Sequence, residues 1–239
     1  MNSITRLMAA LIYFALIAGV FTPYRATADT VAIIGTGRVA QALGPQFAKL
    51  GHRIIYGSRD PGRDSVEALV VRTHTTASAT SPLQAAAQAE IVVLATPWDA
   101  TEEIVRGLGD LSGKIIIDPT NTYAPGADGL RQMGVATSAG ELIQGWAPKA
   151  YVVKAFNTLN AGTMANPESA GGPVTIPIVG DNQAAKDKVA TLITGIGLEV
   201  VDLGPIRYAH VVEGMLIVWM NARIMGRPFE FHLRPHRTN

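Results

Sequence analysis

The chain alternates short, unbroken apolar runs with longer segments whose apolar residues recur every three or four positions. The runs predict strands over 31–34, 53–56, 73–76, 91–95, 115–118, 151–156, 176–179 and 199–202. Several are continuous and β-branched, such as Ile91-Val92-Val93-Leu94 and Ile115-Ile116-Ile117. Strands of that kind are covered on both faces, as in a parallel sheet flanked by helices. Helices are predicted over 39–50, 65–71, 82–88, 101–108 and 184–194. Ser81-Pro82 opens one of them, with an N-cap and then proline at the first helical position. The alternation predicts a doubly wound α/β fold of Rossmann type with a mostly parallel sheet. Pro45 lies inside the first helix, where it removes a backbone donor, so a kink or an early end is expected. The Gly- and Ala-rich stretches 124–129 and 166–172 read as loops.

Both ends depart from this pattern. A helix expected over 209–225 carries Val211, Val212, Met215, Leu216, Ile217, Val218, Trp219 and Met220, which leaves almost no polar face. Such a helix must be buried on every side, by its own domain or by a partner chain. A homodimer packed through it is the expected arrangement. Arg223, Arg227, Arg234 and Arg237 then form a basic tail that reads as a solvated terminus. At the other end, Arg6 precedes an apolar run over 7–21, and Ala26-Thr27-Ala28 precedes Asp29. A positive start, a short apolar core and an A-x-A site predict a secretory signal peptide cleaved after Ala28. The run is shorter than the ~20 residues a spanning helix needs. The expected organisation is a signal over 1–28, a dinucleotide-binding domain over 29–208, and a C-terminal helix with its tail over 209–239. Periplasmic export follows from the signal; without that extension the protein would be cytoplasmic.

Composition narrows the chemistry. Hydrophobic residues make up 48% and charged residues 16%, which describes a globular chain. A net charge of +1 supplies no field to recruit nucleic acid or an anionic membrane. The absence of cysteine excludes disulfides, thiolate catalysis and cysteine-held metal clusters. The histidines are scattered, and Pro235 keeps His232 and His236 off a shared helical face, so no metal site is expected.

The chemistry that remains sits at the first strand–helix junction. Gly35, Thr36, Gly37, Arg38, Val39 and Ala40 form G-x-G-x-x-A directly after a strand and into a helix. The first glycine allows the turn, the second lets a pyrophosphate approach, and Ala40 permits close helix–strand packing. The pyrophosphate would rest on the helix N-terminus. The second strand ends in Tyr56-Gly57-Ser58-Arg59-Asp60, with no acid in the place that binds a ribose diol. Ser58 and Arg59, with Arg63 a turn further on, suit a 2′-phosphate, which points to NADP(H). Asp60 reads as the cap of the turn that follows.

The stretch IGTGRVAQALGPQFAKLGHRIIYGSRDP (34–61) resembles the NADP oxidoreductases that depend on the deazaflavin coenzyme F420. It is also similar to the cytosolic reductase domain of the six-transmembrane metalloreductases. Further matches are IVVLATPWDA (91–100), GKIIIDPTN (113–121), VVKAFNTL (152–159), IPIVGDN (176–182), VVDLGPIRYAHVVEGM (200–215) and FEFHLR (229–234). The resemblance implies that Ala95, Thr96, Pro97 and Trp98 lie along the cofactor beyond the pyrophosphate, with Trp98 alternatively a packing residue. It places Asn121 and Ala155 near the nicotinamide end, and Phe156, Asn157 and Thr158 at the cleft where the second substrate docks. No catalytic acid, base or nucleophile is implied, because hydride transfer between stacked rings needs position and dryness. Asn160-Ala161-Gly162-Thr163 stands where the metalloreductases carry a tryptophan for flavin packing, and nothing here matches their membrane haem domain, so direct metal reduction is not expected. The implied function is hydride transfer between NADP(H) and F420, a flavin or another small redox acceptor. The alternatives are a non-enzymatic NADP(H)-binding or redox-sensing module, and an imine or keto-acid reductase, which would need a larger C-terminal helical domain.

Overall fold

The computed structural model describes residues 28–227, 229 and 232–234. The predicted signal segment up to Thr27 lies outside the described residues, as do His236 and Arg237. In chain order the elements are β1 (Thr30–Ile34), α1 (Arg38–Lys49), β2 (Arg53–Gly57), α2 (Asp64–Thr73), β3 (Ser78–Thr80), α3 (Pro82–Ala87), β4 (Ile91–Leu94), α4 (Trp98–Gly107) and β5 (Ile115–Asp118). They continue with β6 (Ala124–Pro125), β7 (Arg131–Gln132), α5 (Ala139–Trp146), β8 (Tyr151–Lys154), α6 (Ala161–Ala165), β9 (Thr175–Ile178), α7 (Gln183–Gly195), β10 (Glu199–Asp202) and α8 (Ala209–Ile224).

The main sheet runs β3-β2-β1-β4-β5-β8, and every pair in it is parallel. Its strands read as unbroken apolar runs because both faces are covered. Val31, Ile33, Ile54, Tyr56, Val93, Ile117 and Val153 pack on one side, while Ala32, Ile34, Ile55, Val92, Leu94, Ile116 and Val152 pack on the other. Strand order reverses between β1 and β4, whose ends pair at Ile34 and Leu94. Ligands of doubly wound folds bind beyond the strand ends at such a switch point. β9 and β10 form a separate parallel pair, tied to the main sheet by an antiparallel bridge between Lys154 and Val179.

Several expectations need correction. The strand predicted over 73–76 is instead the end of α2 followed by a turn, and β3 lies at Ser78–Thr80. Thr73 stays helical because its hydroxyl is satisfied there, donating to the Leu69 carbonyl (2.8 Å) and meeting the Tyr56 hydroxyl (2.6 Å). α1 neither stops nor shortens at Pro45. Gly44 beside it has a packing reason: a Cβ there would lie 1.8 Å from the Tyr56 hydroxyl. The stretch 124–129 contains one strand of the small β6–β7 hairpin. α5 escaped prediction, although Ser138-x-x-Glu141 is a capping pattern and the Ser138 hydroxyl accepts from the Glu141 N–H (3.1 Å). The tail is not wholly solvated, since the Thr175 N–H donates to the Leu233 carbonyl at 2.8 Å. Finally, α8 is not buried on all sides within the chain. Val211, Val218 and Met225, seven residues apart, are 65%, 59% and 64% exposed and form an apolar stripe along its outer face.

Candidate dinucleotide cleft

The two loop glycines do different work. Gly35 has φ +103°, and a Cβ there would lie 2.3 Å from the Ala95 carbonyl oxygen. Its N–H donates to the Gly57 carbonyl at 2.9 Å, so the fold itself requires glycine. Gly37 sits in ordinary extended backbone (φ −76°, ψ −167°) as the N-cap of α1, and a Cβ there would meet nothing within 4 Å. What Gly37 leaves free is space over the helix N-terminus, where the first N–H groups have no intrahelical partner. Val39 is half-buried and Ala40 fully buried against the sheet, while Arg38 is exposed. An open cradle in front of unpaired N–H groups fits a pyrophosphate.

The end of β2 closes one side. Ser58 is buried, and its Oγ accepts from the Asp60 N–H (3.2 Å) while donating to the Asp60 carbonyl (3.0 Å). Ser58, rather than Asp60, therefore supplies the side chain that closes this turn. Arg59 is exposed at the tip. Arg63 reaches back to the glycine loop, its Nη2 donating to Thr36 Oγ1 at 3.3 Å. Arg63 thus sits beside the loop, and Ser58 follows Gly57, whose carbonyl binds the loop's Gly35 N–H.

On the other side of the switch point, Thr96, Pro97 and Trp98 line a hollow together with Thr120, Asn121, Tyr123 and Leu216. Thr96 Oγ1 meets Thr101 Oγ1 (3.0 Å), which donates to the Pro97 carbonyl (2.9 Å) and holds the start of α4. Trp98 borders the hollow and also packs, stacking on Trp146 with centroids 5.6 Å apart at 25°. A second hollow lies between 157–160 and α8, bounded by Asn157, Thr158, Met215, Leu216 and Trp219. Leu216 borders both.

Beneath the first hollow lies a charge cluster that sequence reasoning missed. Asp118 and Lys154 are in-register neighbours on β5 and β8, and both side chains emerge on the face that α5 and α8 cover. Lys154, wholly buried, spends its three ammonium protons on Asp118 Oδ2 (2.7 Å), Glu213 Oε1 (2.8 Å) and the Thr120 carbonyl (2.6 Å). Asp118 Oδ1 accepts from the Thr120 N–H (2.8 Å) and hydroxyl (2.6 Å). Glu213 also accepts from the Thr122 hydroxyl and from the Ala139 and Gly140 N–H groups at 3.1–3.3 Å. One ammonium faces two carboxylates, and the N-terminus of α5 offsets the surplus negative charge. A signal existed: Lys154 and Glu213 are lone charges inside apolar runs.

The segment after β8 departs partly from expectation. Ala155 and Phe156 are fully buried, and the Phe156 ring packs edge-on against Phe47 in the core instead of facing the cleft. Phe156 is the one non-glycine residue with positive φ (+66°) among those described, a strained backbone that turns the chain toward Asn157. Asn157 Nδ2 donates to Asn121 Oδ1 and to the Val212 carbonyl, both at 3.1 Å, and Asn121 Nδ2 donates to the Asn157 carbonyl at 3.2 Å. The pair joins the loops after β5 and β8. Asn157 Oδ1 is buried with no donor among the described residues.

A parallel sheet with a glycine loop at its switch point, and no acid at the end of β2, defines a Rossmann-type dinucleotide-binding protein. Comparison with known proteins makes this specific. Residues 30–122 match the profile of the family described as NADP oxidoreductase coenzyme F420-dependent. The crystal structure of a candidate F420-dependent NADP-reductase from Arthrobacter sp. FB24 superposes with a TM-score of 0.77 at 32% identity, covering 87% of this chain and all of that one. A Sinorhizobium meliloti protein superposes with a TM-score of 0.65, also at 32% identity, over 78% of this chain and 90% of its own. The mouse metalloreductase STEAP2 is 26% identical over 196 residues, 78% of this chain; the chain spans only 35% of that relative's length. The chain belongs to the F420-dependent NADP oxidoreductase family. It is an NAD(P)-dependent oxidoreductase, and its dinucleotide is NADP(H).

Proposed function

We propose that the protein passes hydride between NADP(H) and a deazaflavin such as F420, a flavin or another small redox acceptor. Bound NADP(H) would supply or take up the hydride at its nicotinamide ring. The chain's own residues bind, orient and keep water out. The N-terminus of α1 and the space above Gly37 receive the pyrophosphate, and Arg59 and Arg63 receive the 2′-phosphate, joined by Ser58 when its hydroxyl turns from the Asp60 carbonyl to the ligand. Thr96, Pro97, Trp98 and Asn121 hold the nicotinamide half. Asn157 and Thr158, with the apolar wall of Met215, Leu216 and Trp219, seat the acceptor. The observation that carries this reading is the pair of adjoining hollows that share Leu216. NADPH oxidation followed at 340 nm against F420, FMN, FAD and a quinone tests it. Turnover with a deazaflavin or flavin is expected; stoichiometric NADPH binding without turnover across the panel would favour a binding or sensing module.

A homodimer belongs to the same proposal, since the apolar stripe of Val211, Val218 and Met225 has the spacing of a helix–helix seam. Val218→Glu is expected to give monomers, and a monomeric wild-type mass by light scattering at micromolar concentration would contradict it. We also propose periplasmic export through the N-terminal segment, tested by N-terminal sequencing of the native protein after cell fractionation.

A further inference from the structure

Lys154 binds the Thr120 carbonyl from below, and that carbonyl belongs to the same peptide group as the Asn121 N–H. The peptide is trans, so its carbonyl and its N–H point in opposite directions. The Asn121 N–H therefore faces away from the buried ammonium, on the side where Thr120 and Asn121 border the hollow. It has no acceptor among the described residues, whereas the neighbouring Thr120 N–H is taken by Asp118 and the Asn121 side chain is taken by Asn157. A polar donor fixed in this way, unpaired at the edge of a hollow, is a site for a carbonyl oxygen.

We propose that Lys154 is a positioning residue: by capturing the Thr120 carbonyl it presents the Asn121 N–H to a carbonyl group on the nicotinamide half of the cofactor. The inference rests on the NADP(H) placement above. Asp118 and Glu213 hold the ammonium in place, and Glu213 carries the effect to α8, whose Met215, Leu216 and Trp219 wall the second hollow. The two hollows are thereby held at a fixed separation by one buried cation.

The test compares two ligands. NADPH carries the nicotinamide half, and adenosine 2′,5′-bisphosphate does not. The Asp118→Asn/Lys154→Met double variant keeps the cluster at one net negative charge and leaves Glu213 on its Thr122, Ala139 and Gly140 donors. Its affinity for NADPH is expected to fall about tenfold, the scale of one well-made hydrogen bond, with the bisphosphate unchanged. Equal losses for both ligands, or no loss for either, would overturn the proposal. A second measurement does not depend on the variant folding. In ¹⁵N-labelled wild-type protein the Asn121 amide resonance is expected to move downfield with NADPH and to stay in place with the bisphosphate. An Asn121 amide unmoved by bound NADPH overturns the inference alone. Wild-type protein that binds neither ligand overturns the cofactor placement with it.

Discussion

The two halves of the proposed NADP(H) cleft are built on opposite principles. The adenosine half, between β1 and β2, is made of backbone, two glycines and exposed arginines over an apolar core, and the deeply buried side-chain polar contacts beneath it are neutral, the Tyr56–Thr73 hydroxyl pair and the Thr73 hydroxyl on the Leu69 carbonyl. The nicotinamide half, beyond β4, β5 and β8, stands on an ammonium held between two carboxylates with no solvent access. Exposed charges are suited to capturing a phosphate and cost little to keep. A buried charge cluster costs far more and is unforgiving of loss, but it fixes loop geometry that apolar packing would leave adjustable.

The largest effect should come from breaking the cluster on one side only. Lys154→Met alone strands two carboxylates in the core and should cost about 3–5 kcal/mol of stability, read from chemical denaturation. Arg59→Ala, on the exposed side, should leave the midpoint unmoved. A mild loss for Lys154→Met would mean that the cluster is open to water and that the contrast fails.

The next effect concerns affinity. Arg59→Ala should cost ~1.5–3 kcal/mol in NADPH binding and almost nothing in NADH binding, as expected of a hydrogen bond to a charged group. Calorimetry that showed equal losses would remove Arg59 from the 2′-phosphate site.

The difference between the halves also explains what the sequence made legible. The adenosine half is local: Gly35, Thr36, Gly37, Ser58, Arg59 and Arg63 fall within two consecutive strand–turn–helix units, so a linear pattern carries it. The alternation of apolar runs gave the sheet and most helices for the same reason. The nicotinamide half gathers residues from 96 to 216, and nothing in linear spacing says that Lys154 meets Glu213 or that Asn121 meets Asn157. Resemblance put Phe156, Asn157 and Thr158 together at an acceptor cleft; Asn157 and Thr158 border the second hollow, whereas Phe156 lies in the core, because a positive φ turns its ring inward. The misplaced strand at 73–76 has a comparable cause: β-branched Thr73 looks like a strand residue until its hydroxyl finds Leu69 and Tyr56.

The smallest effect belongs to that hydroxyl pair. Burial pushes the Tyr56 phenol from 10.0 up to about 12. A raised phenol pKa means the fold favours the neutral form, so its contribution is complete below pH 10 and is lost as pH rises from 10 toward 12. Tyr56→Phe should cost about 1 kcal/mol at pH 8 and melt with a shallower alkaline slope than wild type. Identical slopes would show that Tyr56 reaches solvent.

If the pyrophosphate of NADP(H) lies in the space over Gly37, as proposed, thermal melts of wild type and Gly37→Val with and without NADPH will show it. Wild type should gain ~2.7 kcal/mol at a hundredfold excess over Kd. Because a side chain at Gly37 meets no protein atom and its φ is ordinary, the apo variant should melt close to wild type. NADPH should then give the variant no stabilisation; a variant that still gains normally from NADPH would place the dinucleotide elsewhere.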